Sequence, residues 1–408
     1  MEMDYYNDTE FNLTEATALT ITPYSQRPET YVVPVLFAII FIVGVLGNGT
    51  LVLIFARHRT MRNVPNTYIL SLALGDLLVI ISSVPFTSTV YTVDSWPYGE
   101  FVCKLCETTK DVSVGVSVFT LMALSADRFF AIVDPMRKLY SSISGRGSTG
   151  CTILIAGAIW LLACVCAAPA AIGSYVREFK NGNTTYFEAC YPFPEDWGPS
   201  YARGIVTARF LVYYAFPLGV IGFFYVLMAR HLLLSTRNMP GEAQGQQARQ
   251  VRARKKVAKT VLTFVLVFAV CFLPYHVFML WFYNSPTAQE DYNDFWHVFR
   301  IAGFCLTFMN SCVNPIALYC VSGTFRKHFD RYLFCWRWRR WRDGSEARHN
   351  NRKGWESTTM APLQQSTLRR NTGVTVATTA HESTTLVTSF INGAGNVHHP
   401  CPADSNLM

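Results

Sequence analysis

Seven long apolar runs alternate with polar segments between residues 33 and 320. The runs lie at residues 33–56, 67–93, 105–134, 150–172, 204–229, 257–283 and 295–320. Each can cross a bilayer, because a membrane span needs ~20 mostly apolar residues at a rise of ~1.5 Å per residue. Backbone N–H and C=O groups must be paired inside lipid, so each run is predicted to be a helix. The pattern predicts an all-α fold, a bundle of seven transmembrane helices.

The composition agrees with a membrane protein. Half of the 408 residues are hydrophobic and only 15% are charged. The fourth run contains no charged residue at all, whereas the helices of a large soluble protein carry polar stripes at helical spacing. We therefore exclude a soluble helical protein.

Basic residues indicate how the chain is oriented. Residues 1–30 contain six acidic residues and a single basic one, Arg27, whereas the connector between the fifth and sixth runs contains seven basic residues and one acidic residue, Glu242. Basic connectors stay in the cytoplasm, which predicts an extracellular N-terminus and a cytoplasmic C-terminus. The net charge of +8 is then a property of the inner face, and no nucleic-acid partner is indicated. The predicted parts are a glycosylated extracellular segment (1–30), the seven-helix domain (31–335) and a disordered cytoplasmic tail (336–408).

Three Asn-x-Ser/Thr sequons lie on the predicted outer side. They begin at Asn7, Asn12 and Asn183. Glycosylation occurs only on that side of the membrane, so all three are candidate acceptors and their distribution supports the orientation.

The connector between the fourth and fifth runs is predicted to form a lid. Cys190 in this connector and Cys103 at the start of the third run are both on the oxidising side and most simply pair with each other. Cys106 is the competing partner, although its position three residues further along the helix should turn it into the bundle. Alternating apolar positions on both sides of an Asn-Gly pair predict a two-stranded hairpin that leaves the cavity below it open at the edge.

A short amphipathic helix is predicted after the seventh run. Phe325, Phe329 and Tyr332 share one helical face, which suits a helix lying on the inner leaflet. Cys335 at its end is a candidate for palmitoylation, with an unmodified thiol as the alternative. Ser and Thr are frequent in the tail beyond it, and apolar periodicity is absent there, which predicts disorder.

The apolar runs carry polar or helix-breaking residues that a membrane interior penalises, and these indicate function. They include Asn48, Asp76, Asp127, Arg128, Trp160, Pro217, Pro274, Asn314 and Pro315. In this order on seven spans, and over about residues 30 to 335, they resemble the class A (rhodopsin-like) G-protein-coupled receptors. Residues 113–121 and 310–319 resemble the bombesin and endothelin receptor branch and, within it, the invertebrate CCHamide neuropeptide receptors. The chain shares that branch's departure, in which Leu318 stands where the family has Tyr and Tyr319 follows one place later.

The resemblance implies a receptor and not an enzyme. The expected partners are a neuropeptide agonist, a heterotrimeric G protein that signals through phospholipase C and calcium, arrestin and receptor kinases at the tail, and membrane lipid. A receptor for a small anionic or lipid ligand is the first alternative, for which a closed lid is expected. A solute transporter is the second, and the absence of an internal repeat argues against it.

The resemblance also assigns roles to residues. It implies an allosteric sodium ion, with no other cofactor, at Asp76, Ser117, Asn310, Ser311 and Asn314; a hydrated polar network without an ion is the alternative. It implies a G-protein switch formed by Asp127, Arg128, Tyr225, Asn314, Pro315 and Tyr319. It implies an activation relay through Val118, Pro217, Phe268, Phe272 and Pro274, for which a purely structural core is the alternative.

The outer ends of the runs predict the kind of ligand. Amine receptors of this class have an Asp where this chain has Lys110, and residues 293–320 lack the lysine that would bind retinal, so both classes are excluded. The mouth of the bundle combines opposite charges with aromatic rings, which suits a peptide with several polar groups. The candidate ligand residues are Glu107, Lys110, Arg209, Tyr275, His276 and Arg300, and Arg203, Trp281 and His297 lie at the same level.

Overall fold

The computed structural model describes residues 27–61, 63–133, 148–181, 184–237 and 244–333. Within these ranges seven helices are long and apolar enough to cross a membrane, as the sequence predicted. They are α1 (Glu29–Arg57), α2 (Val64–Ser82), α3 (Gly99–Val133), α4 (Ser148–Cys166), α5 (Pro199–Phe210, a π-helical turn Leu211–Ala215, then Phe216–Arg237), α6 (Gln244–Asn284) and α7 (Asp294–Val321). Short helices Val84–Thr87 and Ala168–Gly173 follow α2 and α4, and α8 (Gly323–Tyr332) follows α7.

Local sequence explains where several helices begin. The side chain of Asn63 accepts a hydrogen bond from the backbone N–H of Asn66 at 3.1 Å and so caps α2. Asn293 caps α7 in the same way, through the N–H of Trp296 at 3.3 Å. Large apolar side chains such as Leu154 on α4 remain exposed on the outside of the bundle. These exposed faces are those that lipid covers in a membrane protein.

Two glycines bring α7 close to its neighbours. A Cβ atom on Gly47 of α1 would lie 2.6 Å from Cγ of Pro315, and one on Gly303 of α7 would lie 2.9 Å from the backbone N of Tyr275 on α6. Neither space admits a larger side chain. The second contact lies beside Pro274, where the proline ring interrupts the hydrogen bonding of α6. Glycine therefore lets α7 pack directly against the proline-containing part of α6.

The predicted hairpin covers one end of the bundle, which we call the hairpin end. Strands β1 (Tyr175–Asn181) and β2 (Thr184–Tyr191) are antiparallel, and Val176 lies opposite Cys190. A disulfide joins Cys190 to Cys103 of α3, with 5.4 Å between their Cα atoms, so the predicted pairing is confirmed. Cys106 is free and buried one turn further along α3. The connector after α2 also holds β2, because the backbone N–H of Trp96 donates to the carbonyl of Glu188 at 2.8 Å.

The opposite end of the bundle, the α8 end, carries the predicted amphipathic helix. Phe325 and Phe329 are buried, and their rings lie 6.3 Å from Phe55 of α1 and 6.1 Å from Tyr319 of α7. These two rings belong to the protein core, and the position of α8 on the inner leaflet stays a prediction. The guanidinium of Arg326 donates to the last carbonyls of α7, at Tyr319 and Cys320. Those carbonyls have no partners within the helix, so Arg326 fixes the α7–α8 corner.

Acidification is expected to loosen α8 from α1. The rings of His58 and His328 lie 4.4 Å apart, and His58 Nε2 lies 3.1 Å from the hydroxyl of Tyr332. Burial, then His58 and Arg331, lower the pKa of His328 below its ordinary value of 6.5. The pKa of His328 is lower in the folded state than in the unfolded state. The contribution of neutral His328 to stability is therefore complete above about pH 6.5 and is lost as the pH falls below that value.

Hydrogen-exchange protection factors of residues 323–333, measured at about pH 7.5 and about pH 5.5, test this expectation. Arg57, Arg59 and Lys327, the sequence neighbours of the two histidines, are positively charged, whereas the Asp330 carboxylate is bonded to Tyr319 at 3.0 Å. His328→Gln should flatten the pH dependence, and His231→Gln on α5 serves as the control. Equal protection at both pH values in the unmodified protein would contradict the expectation.

Candidate functional site

A cavity of about 210 Å³ opens at the hairpin end, and we call it the upper cavity. β2 forms one wall with Glu188, Ala189 and Cys190, and α6 forms the opposite wall with aromatic rings. Charged side chains of both signs project from the remaining helices and connectors. The charged residues are Asp94, Glu107, Lys110, Glu188 and Arg300, and the aromatic residues of α6 and α7 are Tyr275, Phe278, Phe282, Tyr283 and Phe304.

A second cavity of about 70 Å³, the deep cavity, lies further along the same helices. It shares four wall residues with the upper cavity, namely Glu107, Lys110, Tyr275 and Phe304. Its far wall contains Ser117, Asn310 and Ser311, three of the residues predicted to hold a cation. The two predicted sites are therefore neighbours, separated by the shared side chains.

Lys110 and Glu107 form an ion pair in the wall that the two cavities share. Lys110 Nζ lies 2.5 Å from Glu107 Oε1, one helical turn away on α3, and 5.9 Å from the centre of the Phe304 ring. Both side chains are partly buried. A buried ammonium needs a compensating partner, so a ligand that binds Lys110 has to replace Glu107. Arg300 lines the upper cavity as well, with its guanidinium 5.9 Å from the Tyr292 ring.

Arg209 lies deeper than the sequence predicted. It lines the deep cavity and not the upper one, and Arg209 Nη2 lies 2.7 Å from Asp111 Oδ2 of α3. The two side chains are only 12% and 15% exposed. Sequence reasoning missed Asp111, although it adjoins Lys110, because its partner is 98 residues away. Asp111 and Arg209 thus form a second buried ion pair directly beside the first.

The predicted position of His276 in the cavity wall is corrected. Its buried ring lies 5.7 Å from Phe210 and 5.0 Å from Tyr214, between α5 and α6, and it lines neither cavity. Its neighbour Tyr275 lines both. His276 lies about 100° further round α6 than Tyr275, so its ring faces α5.

Three further residues at the predicted mouth also lie elsewhere. Arg203 is exposed on α5. Trp281 stacks on Trp296 with 3.7 Å between ring centres and so joins α6 to α7. His297 Nε2 lies 3.2 Å from the carboxylate of Glu29 and joins α7 to α1. None of them lines either cavity.

A cluster of buried oxygen atoms surrounds Asp76. Asn314 Nδ2 donates to Asp76 Oδ2 at 2.9 Å, and the carboxylate is fully buried. Within the described part of the chain, Asp76 Oδ1 and Asn310 Oδ1 have no hydrogen-bond partner. Ser117 and Ser311 are buried as well. Unpaired oxygens around a buried carboxylate are the donors that a small hard cation prefers, so these residues fit sodium.

The predicted switch residues Asp127, Arg128, Tyr225 and Tyr319 lie towards the α8 end, in separate contacts. Asn314 is bonded to Asp76, and Pro315 packs beside Gly47. Arg128 pairs with the adjacent Asp127, and the hydroxyl of Tyr225 on α5 donates to the backbone carbonyl of Ala258 on α6 at 2.9 Å. The hydroxyl of Tyr319 donates to Asp330 of α8 at 3.0 Å. Leu318, one residue before Tyr319, is buried in the core. The shift of the tyrosine by one place leaves its ring against the core and brings its hydroxyl to α8.

The predicted relay residues connect the deep cavity to the switch. Phe268 and Phe272 lie one turn apart on α6 with 4.5 Å between ring centres, and both are buried in the same core cluster as Val118 of α3. Phe272 also lines the deep cavity. Pro217 lies two residues after the π-helical turn of α5. The predicted acceptors Asn7, Asn12 and Asn183, and Cys335 with the tail, lie outside the described residues.

Comparison with known proteins defines the class. Residues 47–319 match the 7 transmembrane receptor (rhodopsin family), and the chain belongs to that family. It is therefore a multi-pass receptor of the plasma membrane and not an enzyme.

Two relatives place it more narrowly. The chain is 60% identical over 333 residues to the neuropeptide CCHamide-1 receptor of Drosophila melanogaster, which covers 82% of this chain and 66%, just under two thirds, of that receptor. It is 42% identical over 307 residues to a bombesin receptor of Bombina orientalis, which covers 74% of this chain and 76% of that receptor. The sequence-based resemblance to the CCHamide and bombesin receptors is thus confirmed.

Proposed function

We propose that a neuropeptide activates this receptor by binding in the upper cavity, and that the receptor then activates a heterotrimeric G protein at the α8 end. The observation that carries the proposal is the Lys110–Glu107 pair, in which a peptide acceptor can replace Glu107 at the Lys110 ammonium, in the wall of a cavity that the hairpin leaves accessible. The two relatives, named as receptors for neuropeptides and bombesin, support it.

The wall of the upper cavity favours a peptide over a small anionic or lipid ligand. Acidic residues (Asp94, Glu107, Glu188) alternate there with Lys110 and Arg300. A peptide backbone brings both donors and acceptors, which suits groups of both signs. A single anion would gain from the basic groups only and would meet three carboxylates, and a lipid would gain little from either sign.

The proposed orientation places the hairpin end outside the cell. The disulfide between Cys103 and Cys190 lies at this end, and such bonds persist in oxidising compartments. Seven basic residues between the fifth and sixth apolar runs lie in the ends of α5 and α6 away from the hairpin, as expected for the cytoplasmic side. The N-terminus is then extracellular, and the C-terminal tail meets receptor kinases and arrestin in the cytoplasm beside the lipid of the inner leaflet.

The proposed activation opens the α8 end. The hydrogen bond from Tyr225 of α5 to the carbonyl of Ala258 ties α5 to α6 at this end, and Arg128 is held by the adjacent Asp127 of the same helix, α3. A ligand that shifts Tyr275 or Phe272 moves α6 near Pro274, where a backbone hydrogen bond is missing. This movement of α6 draws its inner end away from Tyr225 and exposes Arg128 to the G protein. Both states exist before binding, and the ligand shifts their populations.

The test is calcium release in cells that express the receptor. Amidated and cyclic neuropeptides, small carboxylates and lysophospholipids are applied as three separate panels. The proposal expects a saturable response to one peptide family, and Arg128→Ala should bind the same peptide without releasing calcium. A response confined to the lipid or carboxylate panel would favour the alternative ligand class, and solute flux without any ligand would favour a transporter.

The proposed sodium site comprises Asp76, Ser117, Asn310, Ser311 and Asn314. Sodium supplies a positive charge that offsets the buried carboxylate and favours the packing of α2, α3 and α7 around it. The Asp76 and Asn310 oxygens without partners in the described residues support this assignment over a purely structural network.

Replacing the carboxylate tests the sodium site. Asp76→Asn should abolish the effect of sodium on agonist affinity, because the ion loses the charge that holds it. In the purified unliganded receptor, sodium should raise the melting temperature relative to potassium, and the variant should lose that difference. Glu100→Gln, an exposed carboxylate on α3, serves as the control. Equal melting in both salts for the unmodified receptor would refute the site.

A further inference from the structure

Arg209 contacts more than its acidic partner. Its guanidinium carbon lies 5.6 Å from the centre of the Phe193 ring, while Nη2 is held 2.7 Å from Asp111. Phe193 belongs to residues 191–198, which we call the strap because they run from the end of β2 to the start of α5. The ring of Phe193 is buried and meets Tyr283 of α6 edge to face at 5.2 Å. Arg209 therefore joins the strap to α3.

The strap borders the upper cavity. Pro192 lines the cavity directly, beside Cys190 at the end of β2. On its far side the strap is held by Glu195, whose carboxylate lies 2.5 Å from Arg177 of β1. That second contact is about half exposed to solvent at Glu195, so water weakens it. The Phe193 ring is a buried attachment of the strap.

A guanidinium stays over an aromatic face only if something fixes its position. Asp111 does so here, because a carboxylate holds the planar guanidinium in one orientation. Without Asp111, the charge of Arg209 would be buried and uncompensated, and it would turn towards Glu107, the nearest remaining carboxylate in the deep cavity wall. The contact with Phe193 would then be lost although both residues are still present.

We propose that Asp111 is a positioning residue which, through Arg209 and Phe193, holds the strap over the rim of the upper cavity and so sets how long a bound ligand stays. Arg209 then acts on the ligand through the strap and is not itself a primary ligand contact. The last step, residence time, rests on the proposed function. The first, strap anchoring, is a property of the receptor without any ligand.

Hydrogen exchange of the purified, unliganded receptor in nanodiscs tests the anchoring. Asp111→Asn, Arg209→Gln and Phe193→Ala should each raise exchange of residues 191–198 at least about fivefold, because local opening governs exchange. Residues 175–179 of β1 should stay unchanged, since the disulfide holds the hairpin independently. The double variant Asp111→Asn with Phe193→Ala should exchange no faster than Phe193→Ala alone, as expected for residues that act in one chain of contacts.

A charge exchange separates the proposed contact from a simple ion pair. The double variant Asp111→Arg with Arg209→Asp again has opposite charges on α3 and α5. Its melting temperature should therefore return towards that of the unmodified receptor. It leaves a carboxylate against the Phe193 ring, which attracts cations and not anions, so strap exchange should stay fast. Glu100→Gln removes an exposed ion pair of the same helix and should change nothing. Recovery of strap protection in the exchanged variant would overturn the proposal.

Ligand dissociation is the second measurement. With a labelled peptide that the calcium panel identifies, Asp111→Asn and Phe193→Ala should both speed dissociation about tenfold and leave association within about twofold. If strap exchange is altered but no receptor variant binds any peptide, the strap anchor is supported and the proposed function is refuted. Unchanged strap exchange and unchanged dissociation, in receptors that bind the peptide, would remove the role of Asp111.

Discussion

Cys103→Ser and Cys190→Ser are each expected to weaken peptide binding at the cell surface by more than about a hundredfold. The disulfide connects residues 87 positions apart. Closing a loop of that length contributes ~4–5 kcal/mol in the chain-entropy model. Two hydrogen bonds, at Trp96 and Ser95, also attach β2 to the connector after α2. Net contributions of ~1 kcal/mol each do not replace the covalent bond, so the hairpin wall of the cavity loses its position.

Saturation binding of a labelled peptide, normalised to surface receptor by an epitope tag, measures this effect. The double variant should behave like either single one, because the second sulfur has no function once the first is gone. Cys106→Ser is the matched control: this thiol is free and lies one turn away, so affinity should stay within about threefold. Binding that survives in both single variants at normal surface density would show that the hairpin keeps its position without the bond.

Contacts between residues close in sequence were predictable. Glu107 and Lys110 are three positions apart on a helix, where side chains meet whatever the rest of the fold does. The hairpin and the spans followed equally from local patterns, since Asn-Gly turns and apolar length need no knowledge of neighbouring helices. The Cys103–Cys190 bond followed from the predicted orientation in the membrane, because only these two cysteines were assigned to the outer surface.

Contacts that depend on how a helix is rotated about its axis were not predictable. The π-helical turn Leu211–Ala215 adds a residue to one turn of α5 and so shifts the face of everything before it, including Arg209. Nothing in the apolar pattern marks that turn. Arg209 was therefore placed at the mouth, and its partner Asp111 was missed. His276 was misplaced for a related reason, because its polar ring was assigned to the cavity, although Phe210 and Tyr214 of α5 enclose it.

The displaced tyrosine of α7 shows how a one-residue shift changes a contact. Leu318 is fully buried in the core, whereas Tyr319 is partly exposed and donates to Asp330 of α8. The sequence showed the shift but not its consequence. Since α8 packs its own aromatic residues against the bundle, Tyr319 fixes the angle between α7 and α8. Its proposed role in switching then acts through α8.

Lys110→Ala is expected to shift the peptide dose–response to concentrations at least about tenfold higher, with maximal response and surface expression near normal. In the structure the ammonium is held by Glu107 at 2.5 Å and borders both cavities. An incoming peptide replaces that carboxylate with its own acceptors. Removing the donor leaves those acceptors buried and unpaired, which costs ~1–3 kcal/mol and corresponds to about a 5- to 150-fold loss of affinity.

Two control variants make this prediction specific. Lys104→Ala removes an exposed lysine of α3 that pairs with Glu100, and it should leave the curve unshifted. Glu107→Gln removes the internal competitor for Lys110, so affinity should hold or improve, the opposite of a loss through general damage to the ion pair. If Lys110→Ala and Glu107→Gln weaken binding equally, the ion pair supports the wall of the cavity and the ligand is anchored elsewhere. Arg300 is then the next candidate for the anchor. If only Lys110→Ala weakens it, the ammonium itself binds the peptide.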